Sequence, residues 1–216
     1  MLKAVILDFD GLIIDTELVW YEIFKEWFMD NLEYELSVEE FLVCVGANSE
    51  VLFKSTEEKI NKKIDRSKFA EDTQLMFIEK TKSLPCKEGV EKLIKDTKKN
   101  GLKLALATSS GLEKPTYHLK RLGIYDYFDH LITGDCVERI KPAPDLFIKA
   151  LEKLDVAKEE AIIFEDSLNG LRAGIEAGVR VIVVPNEITK FSNFNDYYMK
   201  VDSLAHIDVE ELIEKY

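Results

Sequence analysis

Asp8 and Asp10 stand one residue apart at the end of a short apolar run, Ala4-Val5-Ile6-Leu7, and Gly11 follows them. A short apolar run closed by a turn signal reads as a buried strand. In an open α/β sheet the ligand crevice lies outside the ends of such strands. Two carboxylates there are costly unless something positive holds them. A hard cation such as Mg2+ would do so, since it takes few carboxylates and keeps positions open for a phosphate. The other reading of the same tetrapeptide is a plain turn or a helix cap.

Three further clusters share this placement. Thr108-Ser109-Ser110-Gly111 follows the apolar run Leu102–Ala107, and its hydroxyl and N–H groups can cradle an anion. One of the three hydroxyls is also expected to cap the next helix. Lys141 sits in Ile140-Lys141-Pro142-Ala143-Pro144-Asp145, where the prolines would fix the loop and start a helix, aiming the lysine from a stiff base. Glu165-Asp166-Ser167 follows Ala161–Phe164 and adds a second acidic pair, with Asp166 or Ser167 able to cap the helix at Leu168. Two acidic pairs on one sheet edge repel unless a metal ion sits between them, and the four clusters together favour a functional site.

The elements that would position these residues follow from periodicity. Strands are predicted at Leu102–Ala107, His130–Thr133, Ala161–Phe164 and Val179–Val184, alternating with helices near Val90–Lys99, Pro115–Leu122, Pro144–Leu154 and Leu168–Ala177. Such alternation implies right-handed βαβ crossovers and a doubly wound parallel sheet, a Rossmann-like α/β core. Between Asp15 and Leu84 the pattern is helical only: Glu17–Asp30 with a broad apolar face, then Val38–Val45, Glu50–Lys62 and Ser67–Lys82. Ser37 and Glu40 have the spacing of a capping box. The expected organisation is an α/β core of residues 1–14 and 85–216, with residues 15–84 inserted as an all-helical cap. Ile207–Tyr216 reads as a closing helix capped by Asp208.

Composition narrows the function classes. With 41 acidic against 29 basic residues the net charge is −12, which argues against nucleic acid as a partner. No apolar run approaches a membrane span, and the start of the chain lacks a signal peptide's basic segment, so a cytoplasmic protein with no membrane partner is expected. Cys44, Cys86 and Cys136 are isolated and predict free thiols, not a zinc site or disulfides. His118, His130 and His206 stand in no nucleophile motif. The chain is taken as a monomer by default.

Over essentially its whole length the sequence resembles the haloacid dehalogenase-like hydrolases, and within them the β-phosphoglucomutase-like branch of small-molecule phosphatases with a helical cap. The likeness rests on Asp8-Phe9-Asp10-Gly11 through Asp15-Thr16-Glu17, Thr108-Ser109-Ser110, Lys141-Pro142-Ala143-Pro144-Asp145 and Glu165-Asp166-Ser167. It implies that Asp8 is a nucleophile forming an aspartyl-phosphate. Asp10 would be the general acid for the leaving alcohol and then the base for water. Mg2+ would be held by Asp8, the carbonyl of Asp10, Asp166 and Glu165, the last directly or through water. Thr108, the N–H of Ser109 and Lys141 would bind the phosphoryl oxygens. Asp10 itself speaks against dehalogenation, because the dehalogenases of this superfamily lack that second acid.

Phosphatase and mutase share these motifs. The mutases carry a histidine and an arginine in the cap where this chain, aligned without gaps, has Trp20 and Ser49. That departure favours hydrolysis of a small phosphorylated metabolite, with a sugar phosphomutase as the alternative. Trp20 reads as cap packing or as an apolar substrate wall. In the loop Gly46-Ala47-Asn48-Ser49, Gly46 and Asn48 are the candidate substrate contacts. A phospho-accepting signalling domain, or a metal-binding protein without turnover, remain rival classes.

Overall fold

The computed structural model describes residues 1–46 and 48–216; Ala47, part of the expected cap loop, lies outside the described residues. Six parallel strands form one sheet in the order β3-β2-β1-β4-β5-β6: β1 Ala4–Leu7, β2 Lys103–Ala107, β3 His130–Ile132, β4 Ala161–Glu165, β5 Arg180–Val183 and β6 Met199–Lys200. β1 is central and buried at every residue, as a continuous apolar run requires in a sheet covered on both faces. The chain winds outward from β1 through β2 and β3, then returns to its other side for β4, β5 and β6. The switch point therefore falls between β1 and β4, where Leu7 pairs with Phe164.

Alternate residues of the strands feed two cores. Val5 and Leu7 join Leu93, Ile94, Leu119 and Leu212 on one face, and Ala4 and Ile6 join Phe147, Ala150, Leu171 and Ala173 on the other. The first face is covered by α5 (Val90–Lys99), α6 (Glu113–Arg121) and α9 (Val209–Lys215), the second by α7 (Asp145–Leu154) and α8 (Leu168–Glu176). Helix α5 shows why: Val90, Leu93, Ile94 and Thr97 are its buried residues, the spacing of one helical face. Asp208 caps α9 by accepting from the Glu210 and Glu211 amides at 2.9 and 3.1 Å. β6 escaped the sequence reading because two residues carry no periodicity.

Between β1 and α5 the chain forms helices α1 (Thr16–Leu32), α2 (Val38–Phe41), α3 (Glu50–Ile60) and α4 (Arg66–Thr81). These bury a third cluster built on rings: Phe24 lies 4.6 Å from Phe69, 5.4 Å from Phe41 and 6.0 Å from Phe53 between centroids. The capping box of Ser37 and Glu40 is present in full. The predicted helix Val38–Val45 is shorter, however, ending at Phe41. The Cys44 amide and thiol both turn back to the Phe41 carbonyl, each at 3.1 Å, and Gly46 takes φ +73°. That tight turn carries residues 45 and 46 down onto the sheet edge. Among the described residues no helix is long and apolar enough to cross a membrane.

Candidate active site

The switch point collects the predicted residues. Asp8 follows β1, and its amide donates to the Phe164 carbonyl of β4 at 3.1 Å. Glu165 ends β4, and Asp166 comes next. Lys141, only 1% exposed, reaches in from the loop before α7. Its Nζ donates to Asp8 Oδ1, to Glu165 Oε1 at 2.5 Å and to the Ala107 carbonyl at 2.8 Å. It also lies 4.9 Å from the centre of the Phe147 ring.

Glu165 is saturated on its other side. Oε2 accepts from the Asp166 amide at 3.0 Å and from the Ser167 amide and hydroxyl at 3.1 Å each. Ser167, not Asp166, caps α8 by accepting from the Gly170 amide at 3.0 Å. Asp166 Oδ2 accepts from Asn186 Nδ2 at 2.6 Å. Carboxylate oxygens of Asp8, Glu165 and Asp166 come within 4.8 Å of one another. Three buried carboxylates beside one lysine leave negative charge uncompensated, and hard oxygen donors of this kind suit Mg2+. Gly11 makes the approach possible: at φ +76° a Cβ there would stand 2.2 Å from Asp166 Oδ2.

Asp10 sits in a different environment. Thr16 and Ser110 hydroxyls donate to its two oxygens at 2.6 Å each, and Lys114 Nζ completes the set on Oδ1. Burial works to raise its pKa, but Lys114 and the two hydroxyls win, and the carboxyl is held below its ordinary value. Asp8 goes the other way, to about 7: burial dominates over Lys141, and Glu165 and Asp10 add repulsion. Burial likewise drives Asp166 upward, with Glu165 and Asp8 behind it. Lys141 is pushed up despite burial because Asp8 and Glu165 favour its charge. Two carboxyls two residues apart are thus separated in proton affinity, Asp8 above its ordinary value and Asp10 below it.

The hydroxyl cluster after β2 behaves differently from expectation. None of Thr108, Ser109 and Ser110 caps α6, whose N-cap position is Leu112 without a side-chain cap. The hydroxyls are committed elsewhere: Thr108 Oγ1 accepts from the Ser110 amide at 3.1 Å, Ser109 Oγ donates to the Gly46 carbonyl at 3.0 Å, and Ser110 Oγ serves Asp10. The turn at 45–46 is held to the core from two sides, since Asn169 Nδ2 also donates to the Val45 carbonyl at 2.7 Å. A Cβ on Gly46 would meet Ser167 Oγ at 2.4 Å.

A cavity of about 170 Å³ opens onto Asp8, Asp10, Thr108 and Ser109, with Gly46, Ser49 and Trp20 on its helical side. Asn48 instead faces a neighbouring cavity, and its Oδ1 accepts from the Glu50 amide at 3.1 Å at the start of α3. Glu17, buried in the wall of the smaller cavity, has its carboxyl raised to about 8 by burial, with Asp10 adding repulsion. Sequence reasoning missed Thr16, Ser110 as an Asp10 partner, Lys114 and Asn186. Asn186 lies just beyond β5, so the strand-end rule extended to that strand would have found it. Lys114 lies one helical turn beyond Ser110, a spacing that could have drawn it in.

A family model described as "Haloacid dehalogenase-like hydrolase" matches residues 5–184. A Bacillus subtilis (strain 168) protein named "Putative phosphatase YhcW" is 36% identical over 215 residues, covering 99% of this chain and 97% of that one. A Thermotoga maritima protein named "Phosphorylated carbohydrates phosphatase" is 31% identical, covering 84% of each chain. Among solved structures, CbbY from Rhodobacter sphaeroides in complex with phosphate superposes with a TM-score of 0.79 at 28% identity, covering 95% of this chain and 96% of that one.

Proposed function

The chain belongs to the haloacid dehalogenase-like hydrolases, and from that membership and the phosphatase names of two relatives we propose that it hydrolyses a small-molecule phosphate monoester with Mg2+ through an aspartyl-phosphate on Asp8. The observation that carries this reading is the paired environment of Asp8 and Asp10: one carboxylate among acids and Lys141, the other held by Lys114 and two hydroxyls.

In this reading Asp8 attacks phosphorus, an Asp8–phosphorus bond forms, and the ester P–O bond breaks. The leaving oxygen takes its proton from Asp10. The arriving phosphate's negative charge favours protonation of that carboxyl. Once the alcohol leaves, Asp10 with Lys114 beside it acts as base, removing a proton from water as water attacks phosphorus. The Asp8–phosphorus bond then breaks and inorganic phosphate departs. Lys141, Thr108 and the Ser109 N–H offset charge on the transferring oxygens. Mg2+ would be held by Asp8, Asp166 and the Asp10 carbonyl, and would neutralise phosphoryl charge. The four donors already on Glu165 suit it to a contact through water while it anchors Lys141.

Residues 15–84 serve in this proposal as the cap that closes on the site through the 45–46 turn, and the substrate is a phosphorylated metabolite. A sugar phosphomutase is disfavoured by Trp20, whose ring stacks on Phe77 at 4.1 Å where the mutases bring a histidine. The experiment is a panel of phosphate esters with purified protein and Mg2+, read as released phosphate. The panel includes β-glucose 1-phosphate with a trace of the 1,6-bisphosphate. Phosphate release from several esters is expected. Efficient conversion to glucose 6-phosphate with negligible free phosphate would overturn hydrolysis, and no reaction with any ester would overturn the enzyme reading.

A further inference from the structure

Beside the phosphate site lies a much larger cavity of about 900 Å³, with side chains of α1, α3, α4 and α6 in its walls. Six rings stand in its walls: Trp20, Phe53, Phe69, Phe77, Tyr117 and His118. It adjoins the smaller cavity: Trp20, Ser49, Phe69 and Lys114 line both. Lys114 is the informative wall. Its Nζ holds Asp10 and lies 4.7 Å from the centre of the Phe77 ring. The carboxyl proposed to protonate the leaving oxygen is therefore tied to a side chain that also faces the aromatic cavity.

Of the polar groups that line it, several are engaged, while Ser49, Gln74 and Glu113 stand beside them. Arg66 donates to Glu50 at 3.1 Å and also pairs with Glu57. Asn48 accepts from the Glu50 amide, and Lys114 is committed to Asp10. A polyol pressed between the rings would bury hydroxyls against apolar faces, which is unfavourable. A planar ring would find edges and faces of other rings, the geometry aromatic groups favour. The volume lies in the range of pockets that enclose small organic ligands.

We propose that the physiological substrate is a phosphate monoester whose leaving alcohol carries an aromatic ring, seated in the cavity between Trp20, Phe53, Phe69, Phe77 and Tyr117. The proposal rests on the phosphatase reading for the placement of the phosphate. Non-hydrolysable phosphonates separate the two. The full chain with Mg2+ is titrated calorimetrically with 2-phenylethylphosphonate, 2-cyclohexylethylphosphonate and ethylphosphonate. The phenyl compound is expected to bind at least tenfold more tightly than ethylphosphonate, and more tightly than the cyclohexyl compound. Ile78, half exposed on the wall, can take a charge without loss of the fold, and I78D should remove at least tenfold of that preference. Equal affinities across the three phosphonates, a cyclohexyl compound equal to the phenyl one, or an I78D protein with the preference intact would overturn the proposal. Phosphate release from ethyl and 2-phenylethyl phosphate, measured alongside, tests the phosphatase reading by itself.

Discussion

Lys114 and Asp10 meet across 104 residues of chain, and their ion pair makes the second carboxylate of the site an ionised one. The pair is partly buried, with side-chain exposures of 23% and 15%, so solvent screens it less than a surface pair.

Replacing Lys114 with methionine keeps much of the stem and removes the charge. Asp10 then loses the main force holding its pKa down, and the base needed for water attack is less often ionised near neutral pH. The expected result is at least about a tenfold loss of kcat, roughly 1.4 kcal/mol in barrier. The optimum should also move to higher pH, because a carboxyl with a raised pKa ionises later. An unchanged pH–rate profile would separate Lys114 from the chemistry.

Metal dependence follows from the acidic trio. Asp8, Glu165 and Asp166 repel one another within 4.8 Å with Lys141 alone among them. An ion that binds the folded chain stabilises it by mass action. Mg2+ should therefore raise Tm, chelation should silence hydrolysis, and D166A should weaken both responses together. Full activity after exhaustive chelation would contradict the metal assignment.

His118 gives a prediction about stability. Its ring is 3% exposed, and burial, with Arg121 adding repulsion, lowers its pKa from 6.5 to about 4. Arg121 Nη2 lies 3.1 Å from His118 Nδ1. An arginine can only donate, so Nδ1 accepts and the proton of the neutral ring sits on Nε2. As pH falls, the unfolded chain takes up the proton first, near 6.5, so stability is lost between about 6.5 and about 4. Denaturant unfolding at about pH 7.5 and about pH 5 should show a smaller drop for H118Q than for the native chain.

Phe24 is the hub of the ring cluster in the helical segment, touching Trp20, Phe28, Phe41, Phe53 and Phe69. F24A should cost about 3–5 kcal/mol of stability, read by denaturant unfolding. Because the 45–46 turn is held by that segment, weaker substrate binding should accompany the loss.

Much of this arrangement was legible in the sequence, for physical reasons. β1 announces itself because a strand buried on both faces must be continuously apolar, and the acids at its end, which could also have made a turn or a cap, gained meaning from the three other clusters at strand ends. Lys141 stood out through its frame of prolines, and Glu165-Asp166 through its place after β4. Lys114, Thr16 and Asn186 gave weaker signals, a helical spacing, a place in a motif and a place beyond a strand. A lysine on an amphipathic helix reads as solvated, and only the fold brings it to Asp10. The shortened helix after Val38 was less visible, since the Cys44 turn that ends it leads to carbonyls at 45 and 46 that Asn169 and Ser109, far along the chain, hold.

Turnover by the proposed route passes every phosphoryl group through Asp8. The most direct measurement is the mass of acid-quenched protein and its peptides after brief exposure to an activated aryl phosphate with Mg2+, in the native chain, D10N and D8N. One phosphoryl group is expected on the peptide carrying Asp8, accumulating in D10N because water lacks its base, and absent from D8N along with all turnover. Phosphorylation elsewhere, or a D8N protein within about tenfold of native activity, would contradict it.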